Sequence, residues 1–401
     1  MSNVRRIFVI GAGTMGHGIA EVAALRGLNV TLYDVKQEFL DGAMSRIKWS
    51  LDRLAEKGTI KSSSEVIQRI TTTLDLESGA SDADFVIEAA PERMEIKRDI
   101  FSRLDRSARP DAVLATNTSS LPITEVSESV SAPRRGRVIG MHFFNPPVIM
   151  QLVEVVKGKY TSDETVKATY ELAGALGKQP VLVRIDVPGF IVNRVMARFL
   201  NTACLMAERG LHRMEEIDAA VRYGLGMPMG AFELSDYIGI DVLDDIIKAM
   251  IARGFSMTPC GLYSGMRSAG KLGVKSGQGF YAHPGSKFRK PELDRSLAAK
   301  VDPILLVAPA VNEAAYLLRE EVASRDDIDK AVRLGLNYPK GIFEYADSYG
   351  VDSVIDALRR LEEALGSREY EPDPLLLEMR SAGKLGVKSG QGFYTYKRRG
   401  E

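Results

Sequence analysis

His142 and Glu154, twelve residues apart, are the two side chains in this 401-residue sequence best suited to moving a proton. His142 follows the apolar run Val138-Ile-Gly-Met141, which reads as a strand, and opens Phe143-Phe-Asn145-Pro-Pro147. An imidazole at a strand end can take or give a proton near neutral pH. Glu154 lies in Leu152-Val-Glu-Val-Val156, where alternation puts it on the face of Leu152 and Val156. A carboxylate on an apolar face is costly unless it has a partner. Two prolines turn the chain between the runs, so adjacent strands can bring the pair together. The carboxylate would then fix the imidazole tautomer and leave the other ring nitrogen for a substrate proton. A structural ion pair, or an edge strand with Glu154 exposed, is the alternative. The other histidines read as bland: His17 as a surface or packing residue, His212 and His283 as solvated in polar loops.

A second constellation binds rather than reacts. Gly11-Ala12-Gly13-Thr14-Met15-Gly16 follows a short apolar β-branched run and opens a helical pattern. The first glycine permits a tight turn, the second admits a pyrophosphate, and the third lets helix and strand pack closely. Asp34 stands eighteen residues past Gly16, at the end of the next strand, where a carboxylate can take both ribose hydroxyls. It would repel a 2′-phosphate, and Val35 and Lys36 supply no arginine clamp, so the expected cofactor is NAD. Asn117-Thr-Ser119-Ser120 follows the strand Ala112–Ala115 and can either cap a helix or hold a substrate oxygen. Asn193, in Pro188-Gly-Phe-Ile-Val-Asn193-Arg194, is a polar residue at an apolar helical start. Its counterpart in an internal repeat is Ile304, and that of Arg194 is Leu305, so the fold alone does not demand either polar group.

The elements that must position these residues alternate. Strand-like runs at Arg6–Ile10, Val30–Tyr33, Phe85–Ala89, Ala112–Ala115, Val138–Met141 and Leu152–Val156 are mostly separated by helical patterns. This predicts an α/β Rossmann-like, doubly wound parallel sheet. After Pro188 long helical patterns take over, such as Ile191–Arg209 and Met214–Arg222. There the sequence repeats itself: Met266–Tyr281 recurs letter for letter at Met379–Tyr394. Two tandem all-α domains are expected, giving boundaries at 1–187, 188–285 and 300–397, with the polar stretch His283–Ala299 as a linker.

Composition narrows the class. Forty-five per cent hydrophobic residues exclude a disordered polymer, and 53 basic against 53 acidic residues argue against bulk binding to nucleic acid or an anionic membrane. Cys204 and Cys260 are too few for a disulfide framework and lack zinc spacing, so reduced thiols in the cytoplasm and no metal are expected. The apolar run after Arg5-Arg6 is too short for a signal peptide, and no run reaches a membrane span.

Taken together, the glycine loop, Asn-Thr-Ser-Ser, His-Phe-Phe-Asn-Pro, Leu-Val-Glu-Val, Pro-Gly-Phe-Ile-Val-Asn-Arg and Gly-Gln-Gly-Phe-Tyr resemble the 3-hydroxyacyl-CoA dehydrogenase family over nearly the whole chain. The resemblance implies that His142 is the general base, that Glu154 supports it, and that Ser119 and Asn193 hold the substrate. It implies NAD contacts at Glu92, Lys97, Asn117 and Lys275, although Lys388 repeats Lys275, and CoA contacts at Ser50 and Lys57. It further implies a place in β-oxidation, with 3-hydroxyacyl-CoA and 3-oxoacyl-CoA as partners and 3-hydroxybutyryl-CoA as a short-chain candidate. The duplication resembles the dehydrogenase part of multifunctional β-oxidation proteins, so a pseudo-dimeric monomer or a homodimer is expected and hydratase activity is not. Alternatives are a dehydrogenase of a non-CoA 3-hydroxy acid and a non-catalytic structural relative.

Overall fold

The computed structural model describes residues 4–397 and divides into two compact units, Met1–Phe190 and Ile191–Glu401. The first unit is built on eight strands: β1 (Arg6–Ile10), β2 (Asn29–Tyr33), β3 (Ile70–Thr73), β4 (Phe85–Glu88), β5 (Val113–Thr116), β6 (Val138–Phe143), β7 (Leu152–Val156) and β8 (Gln179–Val183). Their order is β3-β2-β1-β4-β5-β6-β7-β8, parallel throughout except that β7 runs antiparallel to β6. The helices are α1 (Thr14–Leu25), α2 (Gln37–Glu56), α3 (Ser63–Ile67), α4 (Leu76–Ser81), α5 (Met94–Ser107), α6 (Ile123–Ser127) and α7 (Asp163–Ala175).

Apolar runs without alternation suit strands covered on both faces. Ile7 and Val9 join a core with Ile19, Leu40 and Leu172, while Phe8 and Ile10 join a second with Phe101 and Leu104. The doubly wound sheet expected from sequence is present. Strands β3 and β8 escape the sequence reading because each is short and carries polar residues or a proline. β6 continues through His142 to Phe143, because antiparallel pairing with β7 holds those residues in the ladder.

The second unit is helical. α8 (Val192–Glu208), α9 (Met214–Ala219), α10 (Ala231–Ile238), α11 (Ile240–Ala252) and α12 (Gly261–Ser268) form one copy of the repeat. α13 (Ile304–Arg319), α14 (Arg325–Leu336), α15 (Ile342–Tyr349), α16 (Val351–Leu365) and α17 (Pro374–Ser381) form the other. The copies pack through α8 and α13. Each closes its repeated loop on a buried aspartate: Asp236 accepts from the amides of Phe280 and Tyr281, and Asp347 from those of Phe393 and Tyr394.

Several expectations are corrected here. The helix at Met214 leaves α-geometry after Ala219 and continues as a wider π-turn over Ala220–Gly224. His283 is 0 % exposed; its Nε2 lies 3.0 Å from Asp236, and its Nδ1 accepts from the Arg289 amide. Polarity around it reflects those partners, not solvent. The linker is likewise strapped down, with Arg222 donating to Pro291 O and Tyr223 to Leu293 O. Arg194 does have a use in the fold, since Glu313 of the other copy takes it at 2.7 Å. Cys204 and Cys260 form a disulfide, because Asn201 bonds Thr258 O and the Cys260 amide and so holds that segment against α8. The expectation of reduced thiols is therefore overturned, and cysteine usage no longer speaks for a cytoplasmic location. No helix among the described residues is long and apolar enough to cross a membrane.

Candidate active site

The carboxyl ends of β1, β2, β4, β5 and β6 carry the first unit's chemistry, as expected where such sheets bind ligands. Antiparallel pairing places His142 directly opposite Glu154. Nδ1 of His142 lies 2.7 Å from Oε2 of Glu154, whose side chain is 0 % exposed. This excludes the exposed-edge alternative for Glu154. A buried carboxylate beside Nδ1 favours the tautomer with its proton there, so Nε2 is the acceptor. No described residue bonds Nε2. Phe144 and Phe190 pack against the ring, with centroids at 4.6 and 5.8 Å. Asn117 adds a positioning contact: its Oδ1 accepts from the Phe143 amide at 2.8 Å, tying the end of β5 to the residue after His142.

The serine loop has an organiser that the sequence did not reveal. Oε1 of Glu92 accepts from Thr118 Oγ1 at 2.6 Å, the Ser119 amide at 2.9 Å, and both the amide and the hydroxyl of Ser120 at 3.0 and 2.9 Å. Burial pulls the Glu92 carboxyl up, but Lys97 and these donors outweigh it and hold it below the ordinary value. Lys97 is itself 1 % exposed, with Nζ 2.7 and 3.0 Å from the two oxygens of Glu88 and 3.5 Å from Glu92. Thr116 donates to Glu88 as well, at 2.6 Å. The signal for Glu88 was present in the sequence: a carboxylate ending the apolar run Phe85-Val-Ile-Glu88 needs a buried partner.

A cleft of about 650 Å³ runs over the glycine turn, lined by Gly11, Ala12, Gly13, Thr14, Met15 and Asp34 among others. Side chains are excluded where the turn closes. Gly11 has φ +99°, a Cβ there would lie 2.5 Å from Ala89 O, and one on Gly16 would lie 1.6 Å from Gly11 O. Beside Gly13, by contrast, nothing lies within 4 Å of where a Cβ would stand, which leaves room for a diphosphate against the first turn of α1. Asp34 accepts from the Ala12 and Val35 amides at 2.7 Å each, which fixes its carboxylate at the end of β2. These residues fit an NAD molecule.

The remaining sequence candidates lie elsewhere. Ser50 is bonded by Glu21, a buried carboxylate on α1, and Lys57 caps α2 in solvent. Asn193 opens α8 of the second unit, where it is buried. Lys275 pairs with Asp241 at 2.5 Å, and Lys388 repeats this with Asp352 at 2.5 Å, so both copies use the lysine in the same way. Among the described residues, no cluster of three or more His, Cys, Asp and Glu is placed to hold a metal.

Comparison with known proteins finds relatives over nearly the whole chain. The family description "3-hydroxyacyl-CoA dehydrogenase, NAD binding domain" matches residues 6–187. "3-hydroxyacyl-CoA dehydrogenase, C-terminal domain" matches twice, over 189–283 and 305–396. A probable 3-hydroxybutyryl-CoA dehydrogenase of Deinococcus radiodurans is 43% identical, across 69% of this chain and 99% of its own length. The 3-hydroxyadipyl-CoA dehydrogenase of Escherichia coli K12 is 32% identical, across 94% and 97%. The crystal structure of 3-hydroxybutyryl-CoA dehydrogenase from Escherichia coli K12 superposes with a TM-score of 0.87 at 31% identity, covering 95% of this chain and 99% of that one.

Proposed function

The chain belongs to the 3-hydroxyacyl-CoA dehydrogenase family and oxidises 3-hydroxyacyl-CoA with NAD, and on that premise we propose that His142 is the base and Glu154 the residue that positions it. NAD, when bound, supplies the hydride acceptor. His142 Nε2 takes the proton of the substrate's 3-hydroxyl as the C3–H bond breaks, and the C3–O bond becomes a carbonyl. The proton resides on the imidazole, and Glu154 stabilises the resulting cation through Nδ1–H. In reduction the same proton returns to the oxygen.

The observation that carries this reading is the 2.7 Å contact between His142 and a fully buried Glu154. Ser119, held by Glu92, is proposed to bind the substrate oxygen. Gly11 to Gly16 and Asp34 hold the cofactor, with Glu92, Lys97 and Asn117 supporting its inner edge. Ser50 and Lys57 are proposed as CoA contacts. Only the family resemblance carries Asn193 and Lys275, which belong to the second unit. We also propose that the second helical copy stands in for a partner subunit, and that short substrates such as 3-hydroxybutyryl-CoA are accepted.

NADH consumption with acetoacetyl-CoA, repeated with free acetoacetate and with His142→Gln, tests the reading. Turnover of the thioester alone, lost in the variant, is expected. Equal turnover of the free acid would shift the assignment to a non-CoA substrate, and an active His142→Gln would remove the base.

A further inference from the structure

Two arginines line the cofactor cleft, Arg46 and Arg103. Arg103 is committed to Glu77, to which its Nε and Nη2 donate at 2.8 and 2.9 Å. Arg46 differs: among the described residues it pairs with no carboxylate, and its hydrogen bond runs from Nη2 to Ala12 O at 3.0 Å. Nη1 lies 3.4 Å from where a Cβ on Gly42 would stand, one turn earlier on α2. The side chain therefore folds back over a residue that has none and reaches the glycine turn. Its charge is also felt on the first turn of α1. Burial lowers the His17 imidazole, the bond to Gly13 O opposes this, and Arg46 adds to the lowering. That lowering favours the neutral imidazole beside the arginine.

An uncompensated guanidinium held by one hydrogen bond to a backbone carbonyl keeps further donors for an anion. The cleft itself separates the anionic positions of the dinucleotide. Asp34 marks the ribose end and would repel negative charge there, whereas the open space at Gly13 and the amides of α1 mark the diphosphate. Resting on NAD as the occupant of this cleft, we propose that Arg46 binds the diphosphate bridge of the cofactor, with Gly42 as the residue that lets it do so.

The test compares ligands that differ in phosphate. Binding of NADH, ADP and adenosine is measured for the wild-type protein, Arg46→Ala, Arg46→Lys and Gly42→Leu. Arg46→Ala is expected to weaken NADH and ADP roughly tenfold or more while adenosine changes less than about twofold. Arg46→Lys should recover part of the loss, and Gly42→Leu should reproduce it by displacing the side chain. Equal weakening of ADP and adenosine would overturn the proposal, since the residue would then only shape the adenosine pocket. Unchanged NADH binding with a raised KM for acetoacetyl-CoA, but not for its pantetheine thioester, would assign the charge to the substrate's phosphates and overturn it too. Failure of the wild-type protein to bind NADH would instead remove the underlying reading.

Discussion

Glu92 and Ser119 are joined by a carboxylate oxygen 2.9 Å from a backbone amide, and the same oxygen takes both neighbouring residues of the serine loop. One acidic side chain thus sets the shape of the segment proposed to hold the substrate. Glu92→Gln keeps the volume but removes the charge that faces Lys97. Loss of a charged acceptor shared by several donors is worth about 1.5–3 kcal/mol, so kcat/KM for acetoacetyl-CoA should fall by roughly tenfold or more. Because the folded carboxyl is held below its ordinary 4.5, its contribution is present above that value and lost only as pH falls through the lowered one. An acid limb in wild-type activity that lies above pH 4.5 should therefore persist unchanged in Glu92→Gln. A limb that vanished in this variant would contradict the assignment.

The His142–Glu154 pair predicts a split between chemistry and binding. His142→Gln should lower kcat by about 10²–10⁴ while NADH binding, followed by fluorescence, stays near the wild-type value. Glu154→Gln should lower kcat more than it raises KM, because the imidazolium loses its partner. A Glu154→Gln protein with wild-type kcat would reduce the pair to a structural contact.

Glu21 makes stability fall with rising pH. It is 1 % exposed on α1, and no described residue bonds its Oε1. Burial pushes its carboxyl up from 4.5 to about 7, with the Ser50 bond opposing. A folded pKa raised in this way gives stability that is complete below about 4.5 and lost as pH rises through about 7. The loss at pH 8 is about 3 kcal/mol. Glu21→Gln should raise Tm by several degrees at pH 8 and by little at pH 5. Equal shifts at both pH values would refute this.

Docking of the two helical copies depends on Glu313. It takes Arg194 and Arg198 at 2.7 and 2.9 Å, all three side chains being buried. Glu313→Gln removes the buried carboxylate that the two guanidinium groups share, while Arg198 keeps Glu369 at 2.6 Å, at a cost of about 3 kcal/mol. Thermal unfolding should show a clear drop in Tm, and limited proteolysis should cut sooner between the copies. Glu313→Gln combined with Arg194→Met should recover part of the loss.

Features that depend on near neighbours in the chain were open to reading in one dimension. The glycine turn needs only the steric demands of residues 11–16, and alternation from Leu152 to Val156 shows which face Glu154 takes. The repeat at Met266 and Met379 announces the duplicated helical copy by identity alone. Features that depend on a partner distant in sequence were not open in this way. Nothing near His283 in the chain names Asp236, which buries it, and nothing near Cys204 names Cys260. Arg194 reads as dispensable until Glu313 comes to lie against it, and nothing near Glu92 in the chain names the serine loop that closes on its oxygen. Local pattern decides which residues turn inward, because periodicity is a property of the strand or helix itself. Which charge meets which is decided by the packing of elements far apart in sequence, and for these buried groups that choice sets both stability and chemistry.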